Sequence, residues 1–147
     1  MIVFIDCEWN DYGGDLISVA IVPEDSGAAF YGVLPLPKKP TPWVAENVLP
    51  ALGSGANGYS DTYDLGMAMA SYLMLYDAVH VVADWPEDIE RFCKLLVRGP
   101  GQRWHTPPLS MQIIRWLDAK SLVPHNALAD AEALRHAYQK VGGVEPR

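Results

Sequence analysis

Two carboxylates stand two positions apart at the end of the first apolar run of the chain. Asp6 and Glu8 follow the β-rich residues 2–5, and Cys7 lies between them. Because positions i and i+2 of a strand share a face, we expect both carboxylates on one face and Cys7 on the other. Adjacent acids at a buried strand end repel each other unless protons or cations intervene, and their hard oxygen atoms suit Mg²⁺ or Mn²⁺. The alternative is a polar strand end that frays into solvent.

A third carboxylate borders the apolar stripe of a predicted helix. Asp88 directly precedes Ile89 and lies four positions before Phe92, so we expect it to point toward the sheet. A first-turn aspartate that interacts with the helix dipole is the alternative. Asp84 and Glu87 have the spacing of a capping box, which predicts that Asp84 caps this helix and that Asp88 faces the site.

A histidine and a fourth carboxylate flank the start of the last predicted helix. His125 lies on a loop, and Asp130 is in the first turn or so of the helix, four positions before Leu134. Asp130 therefore also borders the buried face of its helix. An imidazole, with a pKa near neutrality, is the usual general base for activating a water molecule. A loop histidine and a surface helix start are the alternatives when these residues are taken singly.

The four carboxylates and the histidine come from three distant segments, and each acid lies at the sheet-facing edge of its predicted element. This combination is harder to explain by the separate structural alternatives. Clustered carboxylates beside a pair of divalent ions are the signature of two-metal phosphoryl transfer, in which ions roughly 3.5–4 Å apart flank the scissile phosphate.

The elements that would position these residues form one α/β domain over residues 1–147. The chain has 147 residues, half of them hydrophobic and a fifth charged, which is enough for one domain with a buried core. β-rich runs predict strands at 2–5, 16–22, 28–34, 78–83 and 109–113. Helical spacing predicts helices at 43–49, 61–76, 84–96 and 127–141, with a loop at 98–108 and Val141 facing inward. The first three strands form an antiparallel meander within a mixed sheet, and a helix through 114–117 is the alternative to the fifth strand.

The acidic balance limits how the protein can bind nucleic acid. With 18 acidic and 11 basic residues, the net charge of -7 argues against binding mainly through a basic surface. A nuclease is still compatible, because bound divalent cations supply positive charge. No apolar run approaches a membrane span and no signal peptide is apparent, so we expect a cytoplasmic protein without membrane contact. Cys7 and Cys93 lie in apolar runs and are expected to be buried reduced thiols.

The three groups of residues resemble the three exonuclease motifs of the DEDDh superfamily. The segment 125–131, HNALADA, is close to the H-x-A-L-x-D-A wording of that family and is the most specific of the three. A histidine five positions before the aspartate separates DEDDh from the DEDDy branch, which has a tyrosine four positions before it. The opening FIDCEW, followed by LISVA at 16–20, is similar to bacterial exoribonucleases of the RNase AS type, which trim polyadenylate tails. The motif segments cover less than half of the chain, and residues 23–77 are placed by topology alone.

The resemblance implies a ribonuclease H-like fold with a mixed five-stranded sheet flanked by helices. It also implies two divalent cations, Mg²⁺ or Mn²⁺, and 3′→5′ release of nucleoside 5′-monophosphates from the 3′ end of single-stranded RNA. The positions that match Asp6, Glu8 and Asp130 would bind one metal, and the first aspartate would also hold the second. The position that matches Asp88 acts through a water molecule, and the one that matches His125 deprotonates the attacking water.

One departure concerns the segment before Asp88. The family tends to place an asparagine four positions before this aspartate, where this chain has Asp84. Either of the two aspartates could therefore face the metals, and the capping spacing favours Asp88.

Substrate contacts and rival functions complete the expectations. Trp9 follows the D-x-E, where the family often has a hydrophobic residue against the terminal base, and Leu16 and Ile17 would wedge against the same base. All three fit a strand core equally well. The rivals are a 3′→5′ DNA exonuclease, a ribonuclease H-type endonuclease and a catalytically silent nucleic-acid-binding protein on the same fold. By analogy with related exoribonucleases, a homodimer is a candidate assembly.

Overall fold

A six-stranded mixed sheet forms the centre of the protein in the computed structural model, which describes residues 1–53 and 55–143. The strands in chain order are β1 (Ile2–Trp9), β2 (Leu16–Pro23), β3 (Phe30–Val33), β4 (Asn57–Gly58), β5 (Val79–Ala83), β6 (Val97–Gly99), β7 (Gln102–Arg103) and β8 (Leu109–Ile113). The main sheet has the order β4-β3-β2-β1-β5-β8, and β6 pairs with β7 in a separate ribbon. Strand β2 pairs antiparallel with both β1 and β3, as predicted, whereas β5 is parallel to both β1 and β8.

The expectation of a five-stranded sheet is wrong by one strand. The additional strand, β4, consists of two exposed residues that pair in parallel with Gly32 and Val33 of β3. An Asn-Gly pair is typical of a turn, so neither residue of β4 has the composition of a strand. The ribbon of β6 and β7 likewise lies in a segment that was expected to be loop. Residues 109–113 are a strand and residues 114–117 lie outside any helix, so the helical alternative there is wrong.

Four α-helices cover the sheet, in the order that helical spacing predicts. They are α1 (Pro42–Asn47), α2 (Thr62–Leu73), α3 (Pro86–Leu95) and α4 (Ala127–Lys140), and a 3-10 turn at Leu49–Ala51 follows α1. The carboxylate of Asp61 caps α2 by accepting a hydrogen bond from the backbone N–H of Asp64. Within the described residues, no helix combines the length and the apolar character needed to cross a membrane.

The sheet separates two apolar layers, and the alternation along β1 decides which side chain enters which layer. Val3, Ile5 and Cys7 pack on the face covered by α2 and α3, in the same cluster as Met69 and Phe92. Phe4 packs on the opposite face against Leu134 and Tyr138 of α4, and its ring contacts that of Tyr138 edge-on. Since Asp6 and Glu8 share the phase of Phe4, strand geometry directs both carboxylates toward the α4 face.

Two expectations about burial are wrong at the edges of helices. Cys7 is buried as expected, but Cys93 is exposed, because the buried side of α3 is formed by Asp88, Phe92 and Leu95. Cys93 directly follows Phe92, and one residue turns an α-helix by about 100°, which carries its thiol out of the apolar layer. Val141 is 48% exposed rather than inward-facing, because α4 ends at Lys140 and the chain turns away at Gly142 with φ +74°.

Candidate functional site

A cavity of about 700 Å³ opens at the carboxyl ends of β1 and β5. The five residues predicted to carry the chemistry all line it: Asp6, Glu8, Asp88, His125 and Asp130. Two further acids, Asp11 and Asp84, share this lining with Cys7 and with four aromatic side chains: Trp9, Tyr12, Trp43 and Trp85. The carboxyl ends of parallel strands are where α/β sheets commonly place their ligands.

The first group of acids joins β1 to the start of α4. One carboxylate oxygen from each of Asp6, Glu8 and Asp130 lies within 4.8 Å of the others. Asn126 caps α4 by accepting a hydrogen bond from the N–H of Ala129 at 2.9 Å, so the first turn of the helix is fixed at the cavity. Oδ2 of Asp130 accepts a hydrogen bond from the backbone N–H of His125 at 3.0 Å, whereas its Oδ1 is buried without a partner.

The second group of acids joins β1 to the end of β5 and to α3. One carboxylate oxygen from each of Asp6, Asp84 and Asp88 lies within 4.8 Å of the others. Asp6 is thus common to both groups, and its Oδ2 is buried and has no hydrogen-bond partner among the described residues. A carboxylate shared between two oxygen-lined positions is suited to holding a pair of divalent cations close together.

The prediction that Asp84 caps α3 is wrong. The N-cap of α3 is Trp85, whose side chain makes no capping hydrogen bond, and Pro86 occupies the first helical position. Proline suits that position because its fixed φ matches the helix, and because an N–H there would have no partner within the helix. The helix therefore begins one residue later than the capping-box spacing requires, which leaves the carboxylate of Asp84 free to line the cavity. Both candidates, Asp84 and Asp88, face the site.

Asp88 is the most deeply buried of the acids, with 1% of its surface exposed. Its Oδ1 accepts a hydrogen bond from the backbone N–H of Cys7 at 3.0 Å. Strand β1 pairs with β5 only over residues 2–4, so β5 provides no partner for the N–H of Cys7 at this edge. The side chain of Asp88, in the first turn of α3, supplies the hydrogen-bond acceptor that β5 does not provide.

Burial and mutual repulsion hold protons on these acids in the metal-free protein. Burial raises the pKa of Asp6 well above its usual range, and the charges of Asp88, Glu8 and Asp130 raise it further. Burial together with the charge of Asp130 raises the pKa of Glu8 to about 8. Burial and the charge of Asp84 raise the pKa of Asp88 to about 8, against the hydrogen bond from Cys7. The site therefore needs protons or cations to be stable.

Divalent cations fit this donor set. Of the described residues that line the cavity, none is a lysine or an arginine, so the chain itself supplies no cationic side chain among them. The buried oxygens without partners, on Asp6 and Asp130, are the hard ligands that Mg²⁺ and Mn²⁺ prefer. Because an unpartnered buried acceptor is costly, a bound cation would remove that cost as well as the repulsion.

His125 stands at the rim of the same cavity in an unusual backbone conformation. Its φ is +65°, in the left-handed region that non-glycine residues rarely adopt. The indole of Trp43 meets the imidazole edge-on, with ring centroids 4.9 Å apart. The backbone bond to Asp130 and the contact with Trp43 together hold the imidazole beside the acids.

The predicted substrate contacts divide between the cavity and the core. Trp9 lines the cavity, and the guanidinium carbon of Arg91 lies 5.6 Å from the centroid of its ring. Ile17 has no exposed surface and packs with Val44 in a separate apolar cluster, so the expected contact of Ile17 with a base is wrong. Leu16 is partly buried against the main core and is not among the side chains that line the cavity.

Sequence reasoning does not identify four residues of this cavity: Asp11, Tyr12, Trp43 and Trp85. Trp85 had a usable signal, because it follows the end of a parallel strand, where side chains meet at the ligand-binding edge. Trp43 had none, because it reaches the site from a segment whose direction no periodicity reveals. The sequence matches no protein-family model and no curated protein.

Proposed function

We propose that this protein is a metal-dependent 3′→5′ exoribonuclease that releases nucleoside 5′-monophosphates from the 3′ end of single-stranded RNA. The observation that carries the proposal is the presence of two clusters of three carboxylates that share Asp6. His125 lines the same cavity. Two-metal phosphoryl transfer needs such a shared ligand and a nearby base. The mixed sheet with antiparallel first strands is compatible with a ribonuclease H-like fold.

The acids have separate tasks in this reaction. Asp6, Glu8 and Asp130 would hold one divalent cation, and Asp6 would also contact the second. The cations, when bound, supply positive charge that stabilises the developing negative charge on the scissile phosphate. Asp88 is held in place by the N–H of Cys7. It would orient water at the second position.

His125 acts as the general base. An imidazole nitrogen accepts a proton from the attacking water as the new bond between water oxygen and phosphorus forms. The bond from phosphorus to the 3′-oxygen of the preceding nucleotide breaks, and that oxygen takes a proton from solvent. The products are a nucleoside 5′-monophosphate and an RNA shortened by one residue with a free 3′-hydroxyl.

The cavity wall favours an unpaired 3′ end as substrate. Trp9, Tyr12, Trp43 and Trp85 offer aromatic surfaces in a cavity of about 700 Å³, and base stacking on such surfaces contributes about 1–3 kcal/mol per base. A duplex would need a broad basic surface, which a chain of net charge -7 is poorly suited to provide. The choice of RNA over DNA rests on the similarity of the first motif to RNase AS-type enzymes.

Hydrolysis of matched oligomers tests the proposal. A 5′-labelled single-stranded RNA and its DNA counterpart are incubated with Mg²⁺, with Mn²⁺ and with chelator, beside a circular RNA. We expect a metal-dependent ladder that shortens from the 3′ end of the linear RNA, with no cutting of the circle. Asp6→Ala and His125→Ala should abolish the ladder, whereas the exposed-site controls Glu132→Gln and His105→Ala should retain it.

The other outcomes distinguish the rivals. Faster shortening of the DNA would favour the DNA exonuclease, and cutting of the circular RNA would indicate an endonuclease. No cleavage by folded protein in either metal would refute the catalytic proposal and favour a silent binding protein.

A further inference from the structure

We infer that Asp84 is a ligand of the second divalent cation, so that the cavity binds two cations before any nucleic acid is present. The inference rests on the proposed function, since it concerns the metals of the same cavity. The new element is a direct ligand role for Asp84, to which the resemblance assigns no role in metal binding.

Geometry places Asp84 in the second group. Its carboxylate lies within 4.8 Å of ligand oxygens of Asp6 and Asp88. Asp6 and Asp84 would supply two of the six oxygens in the octahedral shell of Mg²⁺ or Mn²⁺, and water, part of it held by Asp88, can complete the rest. Without Asp84, only Asp6 and Asp88 would face this position, and Asp88 already gives one oxygen to the N–H of Cys7.

A second observation, on the acid common to both groups, points to a bound cation beside Asp6. Oδ2 of Asp6, the residue common to both groups, is sealed from solvent and accepts no hydrogen bond from the described residues. Asp88 beside it is 1% exposed. Buried carboxylate oxygens without donors are rare in folded proteins, because the loss of hydration is not offset. A cation between Asp6, Asp84 and Asp88 removes this deficit.

Asp84 does not serve as the cap of α3 that its spacing predicts. The N-cap of α3 is Trp85, and the helix starts at Pro86 without a side-chain cap. The guanidinium of Arg115 lies 4.2 Å from the ring centroid of Trp85, yet no ion pair within 4.0 Å joins Arg115 to Asp84 among the described residues. The carboxylate of Asp84 is therefore directed at the acids and is available for a metal.

A carboxylate at residue 84 gives the second cation position more negative charge than an amide there would. With an amide at residue 84, the second cation would depend on the phosphate of the nucleic acid for much of its shell. With a carboxylate there, both cations can bind to the free protein. Asp84→Asn therefore removes one charged ligand and leaves the shape of the side chain nearly unchanged.

Calorimetric titration of the nucleic-acid-free protein with Mn²⁺ tests this directly. We expect two equivalents for the wild type, with a spin-coupled Mn²⁺ signal in electron paramagnetic resonance. Asp84→Asn should keep one equivalent at unchanged affinity, weaken the second at least tenfold and lose the coupled signal. Asp11→Asn is the matched control, because Asp11 lines the cavity outside both groups and should leave both equivalents intact.

The outcomes separate this inference from the proposed function. Two equivalents of equal affinity in wild type and Asp84→Asn, or a single equivalent in the wild type, would overturn the role of Asp84 and leave the exonuclease proposal standing. No Mn²⁺ binding by folded wild type would overturn both. Thermal melting in chelator checks that Asp84→Asn is folded, and Asp84→Ser provides a second variant with a smaller side chain.

Discussion

The backbone N–H of Cys7 donates a hydrogen bond to Oδ1 of Asp88 at 3.0 Å, across 81 positions of sequence. This bond connects the strand that carries Asp6 and Glu8 to the helix that follows β5. The bond forms beyond the last residue of β1 that pairs with β5. The carboxylate of Asp88 therefore accepts from a backbone N–H that would otherwise need a water molecule. The same contact buries Asp88 and brings its charge toward Asp6, which couples the fold of this edge to the chemistry of the cavity.

Substitution of Asp88 should separate these two roles. Asp88→Asn keeps an oxygen for the N–H of Cys7 but removes the charge, so we expect the metal-free protein to melt at a higher temperature than the wild type. Activity with Mg²⁺ should fall about 10- to 100-fold, because a group that orients the metal shell is lost. Asp88→Leu removes the acceptor as well, leaves the N–H buried and should cost about 1–3 kcal/mol of stability. Thermal melts and initial rates of RNA hydrolysis measure both effects, and equal melting temperatures for the two variants would contradict the structural role.

The metal-free protein should lose stability as pH rises from about 4 to about 8. The pKa of Glu8 and that of Asp88 are both about 8 in the folded chain, against ordinary values of 4.5 and 3.8. In this range the folded state holds protons that the unfolded state has released, so the free energy of unfolding declines with pH and levels off above 8. Cations replace the protons, and Mn²⁺ should therefore stabilise the protein more at pH 8 than at pH 5.

Melting temperatures in chelator and in Mn²⁺, taken between pH 5 and pH 9, check this dependence. Glu8→Gln should flatten the decline seen in chelator, because it removes one of the groups that titrates. The control Asp77→Asn, at an exposed position outside the cavity, should leave the profile unchanged. A melting temperature in chelator that increases steadily from pH 5 to pH 8 would contradict the proposed cause.

Local rules predicted the part of the site that lies on single elements. Alternation along β1 was enough to place Cys7 in the core and to direct Asp6 and Glu8 to the other face. Asp130 followed from the position of α4 relative to its buried stripe. In each case the hydrophobic pattern of a single element is enough to predict which way the residue on that element faces.

The failures concern competition between neighbouring signals or contacts between distant segments. Asp84 and Glu87 have the spacing of a capping box, but the preference of proline for the first helical position places the start of α3 at Pro86, one residue later. The apolar side chain of Ile17 is equally suited to contact a base and to pack in the core. Only the packing of Val44 against it shows that it lies in the core. Trp43 reaches the cavity through a long-range contact that no local pattern encodes.

Gly66 should be intolerant of any side chain, because α2 approaches α3 closely at this point. A Cβ added at Gly66 would lie 2.2 Å from the carbonyl oxygen of Leu95 and 3.0 Å from Nε1 of Trp104. Gly66→Ala should therefore separate the helices and cost about 1–3 kcal/mol, despite the better helix propensity of alanine. Chemical denaturation measures the loss. Gly58→Ala, where a Cβ meets nothing within 4 Å, is the control, and an equal or higher stability of Gly66→Ala would refute the predicted clash.

Trp43 should act on the reaction through His125. Its segment is tied to the loop after β1, since Oδ1 of Asn10 accepts a hydrogen bond from the N–H of Thr41 at 2.9 Å, and its ring meets the imidazole at 4.9 Å. Edge-to-face aromatic pairs contribute about 0.5–1.5 kcal/mol, so Trp43→Ala should lower kcat about 2- to 10-fold, and Trp43→Phe should lower it less.

A double-mutant cycle distinguishes this positioning role from simple loss of substrate binding. If Trp43 acts only by orienting the imidazole, Trp43→Ala should not reduce the residual kcat of His125→Ala, measured at high enzyme concentration over long incubations. KM can still rise because Trp43 also lines the cavity. Trp116→Ala, at a side chain 66% exposed and outside the cavity lining, is the control and should leave both constants unchanged. The same fold-decrease in kcat in both backgrounds would show that Trp43 contributes independently of His125, because residues that work as one unit lose their effects together rather than additively.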